Sequence, residues 1–221
     1  MRDSYIKQLK KLHEDLTDMG KMCEEAIRFA IKGLLEKDSD LRGKAVLIEK
    51  EIDIKEREIE GFCMRLIMRE QPVAGDLRAI TAAMKIVTDM ERIGDHAEDI
   101  AEISVFLDKT DVQSDVHIEN MTEAALTMLT DAIDAFVSRD LEKIKAVMAF
   151  DDVLDECFAR IRGELVAHLT RVPEDAAACL DLLMIAKYLE RIGDHAKNIA
   201  EWVEFALTGL IRGKAVVGKS E

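Results

Sequence analysis

A seven-residue block occurs twice in this chain without alteration. Glu91-Arg92-Ile93-Gly94-Asp95-His96-Ala97 returns as Glu190-Arg191-Ile192-Gly193-Asp194-His195-Ala196. After two differing positions, Ile100-Ala101-Glu102 returns as Ile199-Ala200-Glu201. Shared helical propensity preserves the pattern of apolar positions but not the identity of solvent-facing residues. The identical blocks therefore mark a duplicated unit under one structural or chemical requirement.

The periodicity around the blocks gives each unit three helices. Leu9, Leu12, Leu16, Met19, Cys23, Ala26 and Ala30 recur at three- and four-residue steps, the seam of a helix packed in a bundle. The pattern fades near Lys37, and Asp38 or Ser39 is suited to cap a second helix. Its seam is Leu41, Ala45, Ile48, Ile52, Ile59, Phe62 and Leu66. Pro72 is expected to end that helix and start a third, with Asp76 at its positive N-terminal end. The third buries Ile80, Ala83, Val87, Met90, Ile93, Ala97 and Ile100. After the polar stretch Asp108 to Gln113 the scheme restarts. A fourth helix is expected from about Ser114 to Ser138, a fifth capped by Asp140 and lasting to about Thr170, and a sixth opened by Pro173, Glu174 and Asp175. Helices of roughly 30 residues are about 45 Å long. The expected fold is all-α: two tandem, repeat-related antiparallel three-helix bundles, residues 1–108 and 112–221, elongated rather than one compact globule.

Composition agrees with helix and narrows the partners. Aromatics are 5% and there are only 2 Pro, so few residues favour a pleated surface. The net charge of -14 repels nucleic acid phosphates and anionic lipid, and cations are the more natural small partners. Cys23, Cys63, Cys157 and Cys179 form no CxxC pair and sit among helix formers, where a free thiol packs as a small hydrophobe. The N-terminal stretch lacks the apolar run of a signal peptide, and Ala176 to Ala186 is too short to span a bilayer. A cytoplasmic protein without membrane insertion is expected.

The candidate chemistry lies in acidic stripes. At roughly 100° per residue, Glu91, Asp95, Glu98, Asp99 and Glu102 fall in one sector, away from the Ile93, Ala97 and Ile100 face. Like charges at i and i+4 cost an isolated helix roughly 0.2–0.5 kcal/mol per pair, so the stripe needs compensation. Arg92 supplies part of it. The second helix presents Glu49, Asp53, Glu56 and Glu60 at steps of four, three and four. If the two helices are neighbours, two rows of carboxylates face each other, the donor set that divalent cations require. A solvated charged face is the bland reading of any one stripe; two copies and a second row favour cation binding. The second half is thinner, with Lys197 and Asn198 where the first has Glu98 and Asp99, and Asp151, Asp152 and Asp155 on the fifth helix followed by Phe158 and Arg162.

Three further residue types carry less. Gly94 and Gly193, mid-helix at equivalent positions, each cost about 1 kcal/mol relative to Ala and point to close helix packing. His96 and His195 lie roughly 100° round from the preceding Asp and serve equally as boundary residues bonded to a neighbouring helix. Met19, Met22, Met64, Met68, Met84 and Met90 are spaced as core or near-core residues.

These features resemble the PhoU family, marked by a Glu/Asp-x-x-x-Asp motif on the third helix of each of two three-helix repeats. Glu91/Asp95 and Glu190/Asp194 match it, and Arg65-Leu66-Ile67 through Gln71-Pro72 to Asp76-Leu77-Arg78 resembles the family's turn between helices two and three. The resemblance covers essentially the whole chain. It implies a regulator acting between the phosphate-specific ABC transporter and a membrane sensor histidine kinase, repressing the phosphate-starvation response when phosphate is plentiful. It also implies a homodimer, and iron or another metal (Fe, Mn, Zn or Mg) held by the acidic motif. Carried over, the metal candidates are Glu91, Asp95, Glu190 and Asp194, supported by Asp53, Asp99, Asp155 and Asn198.

Two other classes compete. A di-iron carboxylate oxidase uses Glu-x-x-His, whereas His96 follows Glu91 by five residues and rotates off that face. No nucleophilic triad, phosphate-binding Gly loop or zinc motif accompanies it, so a non-enzyme is expected. The other class is a helical adaptor whose acidic faces bind a basic protein surface without metal.

Overall fold

Six long helices account for nearly all of the computed structural model, which describes residues 2–112, 116–211 and 214–215. They are α1 (Arg2–Leu35), α2 (Ser39–Glu70), α3 (Gly75–Ser104), α4 (Ile118–Ser138), α5 (Leu141–Arg171) and α6 (Ala176–Thr208). Single 3-10 turns, Val105–Leu107 and Pro173–Asp175, follow α3 and precede α6. Two-residue strands β1 (Leu210–Ile211) and β2 (Lys214–Ala215) pair antiparallel after α6.

The helix ends follow local chemistry. The Asp38 carboxylate accepts from the amides of Asp40 and Leu41 at 2.8 and 3.1 Å, and Asp140 caps α5 through the Glu142 amide at 2.8 Å. Gly209 ends α6 at φ 81°, where its N–H donates to the Phe205 carbonyl and a side chain would be strained. Pro72 stops α2 but does not begin α3. Gln71 and Ala74 take φ of 46° and 41°, and these positive-φ residues hold Pro72 and Val73 outside both helices, so α3 starts at Gly75. The fourth helix starts at Ile118. Its expected start at Ser114 lies outside the described residues.

Within each half the seams close as the periodicity requires. Leu12, Leu16, Met19 and Cys23 of α1 are buried with Ala45, Ile52 and Ile59 of α2 and with the whole expected seam of α3. Met64 and Met68 are not core residues: both are exposed, because they lie on the flank of α2 that neither α1 nor α3 covers. Met19 and Met90 are buried as expected.

The halves are joined along α3 and α6, which run antiparallel. Ala82 near the start of α3 packs on Phe205 and Ala206 near the end of α6, and Asp89 meets His195 and Asn198. Gly20 of α1 lies against Ile133 of α4, so the first and fourth helices touch as well. One continuous apolar core therefore includes side chains from all six helices. The mid-helix glycines are packing residues: a Cβ on Gly94 would sit 3.1 Å from Ile52, and one on Gly193 2.1 Å from Leu154. The same contact thus recurs between α2 and α3 and between α5 and α6. All four cysteines are free thiols, three of them buried.

Candidate metal centre

The Gly94–Ile52 contact sets α2 beside α3 and brings the acidic rows face to face. Glu49, Asp53 and Asp95 each offer a carboxylate oxygen, and these oxygens lie within 4.8 Å of one another. Glu49 is buried, at 8% exposure, which removes the water that would otherwise disperse its charge. Its carboxyl is pushed up to about 7, by burial first and then by Glu98, Asp53 and Asp95. Glu91 is also pushed up to about 7, by burial and then by Asp95, Glu56 and Asp53. Burial and neighbouring acids raise Asp95, Glu56 and Glu98 in the same direction. Among the described residues, the cations that border this row include Arg57, 3.2 Å from Asp53, and Lys50 and Arg92 at the edges. Buried carboxylates that repel one another favour either a proton or a multivalent cation.

The candidate residues separate under this geometry. Asp53 and Asp95 meet directly, and Glu91 lies beside them one turn back on α3. Glu49 completes the trio; it was legible as part of the α2 row but not among the ligand candidates. Asp99 turns toward the seam between the halves, where its Oδ2 lies 3.4 Å from His96 Nδ1. Asn198, its counterpart, donates to Asp89 at 3.3 Å, and His195 Nδ1 pairs with the same Asp89 oxygen at 2.8 Å. The two histidines stack at 5.5 Å, and His96 also meets Tyr188 at 5.4 Å. Both are seam residues, but only His195 hydrogen-bonds across the junction; His96 bonds within α3 and reaches α6 through its ring.

The second groove is assembled differently. Leu154 stands where Ile52 stands in the first half, which places Asp151 and Asp155 as the counterparts of Glu49 and Asp53. Lys197 pairs with Asp151, and Lys187 pairs with Glu190 while covering the Phe158 ring at 5.6 Å. Asp194 is raised by burial and then by Glu190 and Asp151, while both lysines oppose the rise. Asp155 is exposed and joins none of these contacts. Lys197 is visible in the sequence as a replaced acid, and the i, i+3 spacing of Lys187 to Glu190 is the local signal for the other pair.

The architecture defines a class: a tandem helical repeat whose two halves each set an acidic motif in a groove between the second and third helices. The PhoU domain model matches residues 16–104 and again residues 118–203. A Caulobacter vibrioides protein named "Phosphate-specific transport system accessory protein PhoU homolog" is 37% identical, covering 93% of this chain and 90% of its own. One of the same name from Clostridium acetobutylicum is 37% identical over 94% and 96%. The crystal structure of PhoU from Pseudomonas aeruginosa superposes with a TM-score of 0.86 at 32% identity, covering 93% of this chain and all of that one. That of the phosphate transport system regulatory protein PhoU from Streptococcus pneumoniae gives 0.84 at 25% identity, over 94% and 98%. The chain belongs to the PhoU family.

Proposed function

We propose that this protein is a non-enzymatic regulator of phosphate transport that holds a cation in its first acidic groove and presents that groove to protein partners. The carrying observation is the convergence of Glu49, Asp53 and Asp95, in a chain whose relatives are named as accessory and regulatory proteins of phosphate transport. An all-oxygen donor set of this kind suits Mg, Mn or Fe and accepts Zn. A bound cation supplies the positive charge that the row lacks. Glu49 and Asp53 would hold it from α2 and Asp95 from α3, with Glu91 adjacent. Glu49 must give up its proton to ligate, so cation and proton compete for it.

The regulator acts by binding, without chemistry of its own. A binder shifts an equilibrium between partner states only through different affinities for them. The partners in this reading are the phosphate ABC transporter, after the relatives' names, and a sensor histidine kinase, after the family resemblance. Both would be met from the cytoplasmic side by a homodimer. No helix among the described residues is long and apolar enough to cross a membrane, which agrees with an accessory role.

The test is a starvation-promoter reporter in the native cell at high phosphate. Deleting the protein activates the reporter, and Glu91→Lys with Asp95→Lys activates it while helicity and oligomeric state stay unchanged. A deletion strain that remains fully repressed would refute the assignment to phosphate signalling.

A further inference from the structure

The turn between α2 and α3 carries side chains that the fold does not need. In the second repeat the equivalent turn places Glu174 and Asp175 after Pro173, the polar content usual for an exposed connection. In the first repeat Pro72 is followed by Val73, Ala74 and Gly75. Val73 is 75% exposed and Met68 is 74% exposed. Ile6 on α1, Met64 on α2 and Leu77 on α3 are exposed at the same end. The Gln8–Glu70 bond of 3.3 Å and the interaction of Tyr5 with Asp76 hold the start of α1 beside this turn. Five of the fifteen large apolar side chains exposed among the described residues thus gather at one tip.

The charges at the tip run against the rest of the molecule. Lys7, Arg65 and Arg69 are exposed around it. Arg65 lies over the Phe62 ring at 5.8 Å, and no ion pair among the described residues engages Arg65 or Arg69. Of the carboxylates here, Glu70 and Asp76 are engaged by Gln8 and Tyr5, and Glu58 and Asp15 lie farther back, in the cleft that Arg65 borders. The chain as a whole is at -14, so this is a cationic end on an anionic protein.

We infer that this tip docks on an anionic lipid surface, with Val73, Met68 and Leu77 reaching the acyl boundary and Lys7, Arg65 and Arg69 meeting headgroup phosphates. The tip is a convex knob made from helix ends and a turn. A bilayer interface accepts such a knob without a matching pocket, whereas a folded partner must supply a concave one. Basic side chains beside an apolar insertion are the combination that binds anionic membranes peripherally. The overall negative charge does not cancel the attraction. Asp95 lies some 27 Å along α3 from Leu77 at 1.5 Å per residue, about three screening lengths at physiological salt. The inference is independent of cation binding in the groove, because none of the tip residues lines it.

Vesicle flotation of the full chain tests it. The protein should float with phosphatidylcholine vesicles containing phosphatidylglycerol, not with phosphatidylcholine alone, and binding should weaken as salt rises. Arg65→Glu with Arg69→Glu, and separately Met68→Asp with Val73→Asp, should each lower the partition coefficient roughly tenfold or more. Leu180→Asp, exposed at the opposite end, should bind like the parent. These are surface changes, and circular dichroism checks that each variant is folded. A parent that ignores anionic vesicles, equal binding to both vesicle types, or tip variants that bind like the parent would each overturn the inference. So would a parent that does not float but whose mass in light scattering halves on Met68→Asp with Val73→Asp, which would give the tip to a second copy of the chain.

Discussion

In the groove between α2 and α3, Glu49, Asp53 and Asp95 converge with no lysine between them, and Glu49 and Glu91 are pushed up to about 7. In the groove between α5 and α6, Lys197 holds Asp151 and Lys187 holds Glu190. The same seven residues line α3 and α6, so the difference lies in what surrounds the repeated block. Duplication copied the backbone, the glycine contact and the core seam. The means of neutralising the acids then diverged: the second groove carries its own lysines, and in the function proposed above the first takes a cation from outside. Phe158 and Arg162, standing where Glu56 and Glu60 stand in the first half, complete the change.

The largest consequence is a metal response confined to one half. A ligand that binds only the folded state at about 100 times its Kd adds about 2.7 kcal/mol of stability. At about 2–4 °C per kcal/mol for a chain of this size, Mn(II) should raise the Tm by roughly 5–10 °C. Asp95→Asn should abolish most of that rise and Asp194→Asn should leave it intact. Equal loss in both variants, read by calorimetry, would show that the two grooves act as one.

The comparison sharpens if the second groove is made to resemble the first. Lys197→Glu restores the acid found at Glu98 and strips Asp151 of its half-buried partner. The metal-free variant should lose about 1–3 kcal/mol in denaturant melts, the cost of leaving a buried polar group unpaired. Added Mn(II) should recover most of that loss. A variant that is destabilised and indifferent to metal would mean that lysine charge is not what separates the grooves.

A smaller effect separates the two glycines. Ala at either position gains about 1 kcal/mol in helix propensity. At Gly193 the new Cβ falls 2.1 Å from Leu154 Cδ2, so that buried leucine must change rotamer. Gly193→Ala should therefore be destabilising by about 1–2 kcal/mol net. At Gly94 the nearest atoms, Ile52 Cδ1 and Cγ2, are 3.1 and 3.2 Å away, which a shift of tenths of an ångström relieves. Gly94→Ala should stay within about 1 kcal/mol of the parent in the same melts.

A separate effect is expected on pH dependence. A carboxyl whose folded-state pKa lies above its unfolded value binds its proton more readily when folded. The stability it contributes is present at low pH and lost as pH rises. Glu49 and Glu91 rise from 4.5 to about 7, so the metal-free Tm should drift downward across that window. Saturating Mn(II) should flatten the drift at its upper end, and Glu49→Gln should reduce it without metal. A metal-free Tm that climbs between those pH values would contradict the raised carboxyls.

Much of this was legible in the chain before folding. The repeated block and the seams fixed six helices, since both depend only on spacing within a helix. The acidic rows were legible for the same reason. Their convergence was not, because it depends on the approach of Ile52 to Gly94, a contact between helices. That approach is what adds Glu49 to Asp53 and Asp95. Asp99 and Asn198 face the α3–α6 seam, whose partner Asp89 no local pattern reveals. Pro72 failed as a helix start because Ala74, with no sequence cue, takes a positive φ of 41° and breaks the chain direction before Gly75. Met64 and Met68 share the spacing of core residues, and only the packing of α1 and α3 shows that their flank of α2 is left open.

The central claim is that one groove needs an outside cation and the other does not. Its most direct test is the metal content of protein purified without chelator or nickel resin, dialysed, and measured by mass spectrometry. The parent and Asp194→Asn should retain the same metal in the same ratio to protein, and Asp95→Asn should retain almost none. A parent free of metal that also fails to take up Mn, Fe, Zn or Mg on addition, or equal retention by Asp95→Asn, would contradict it.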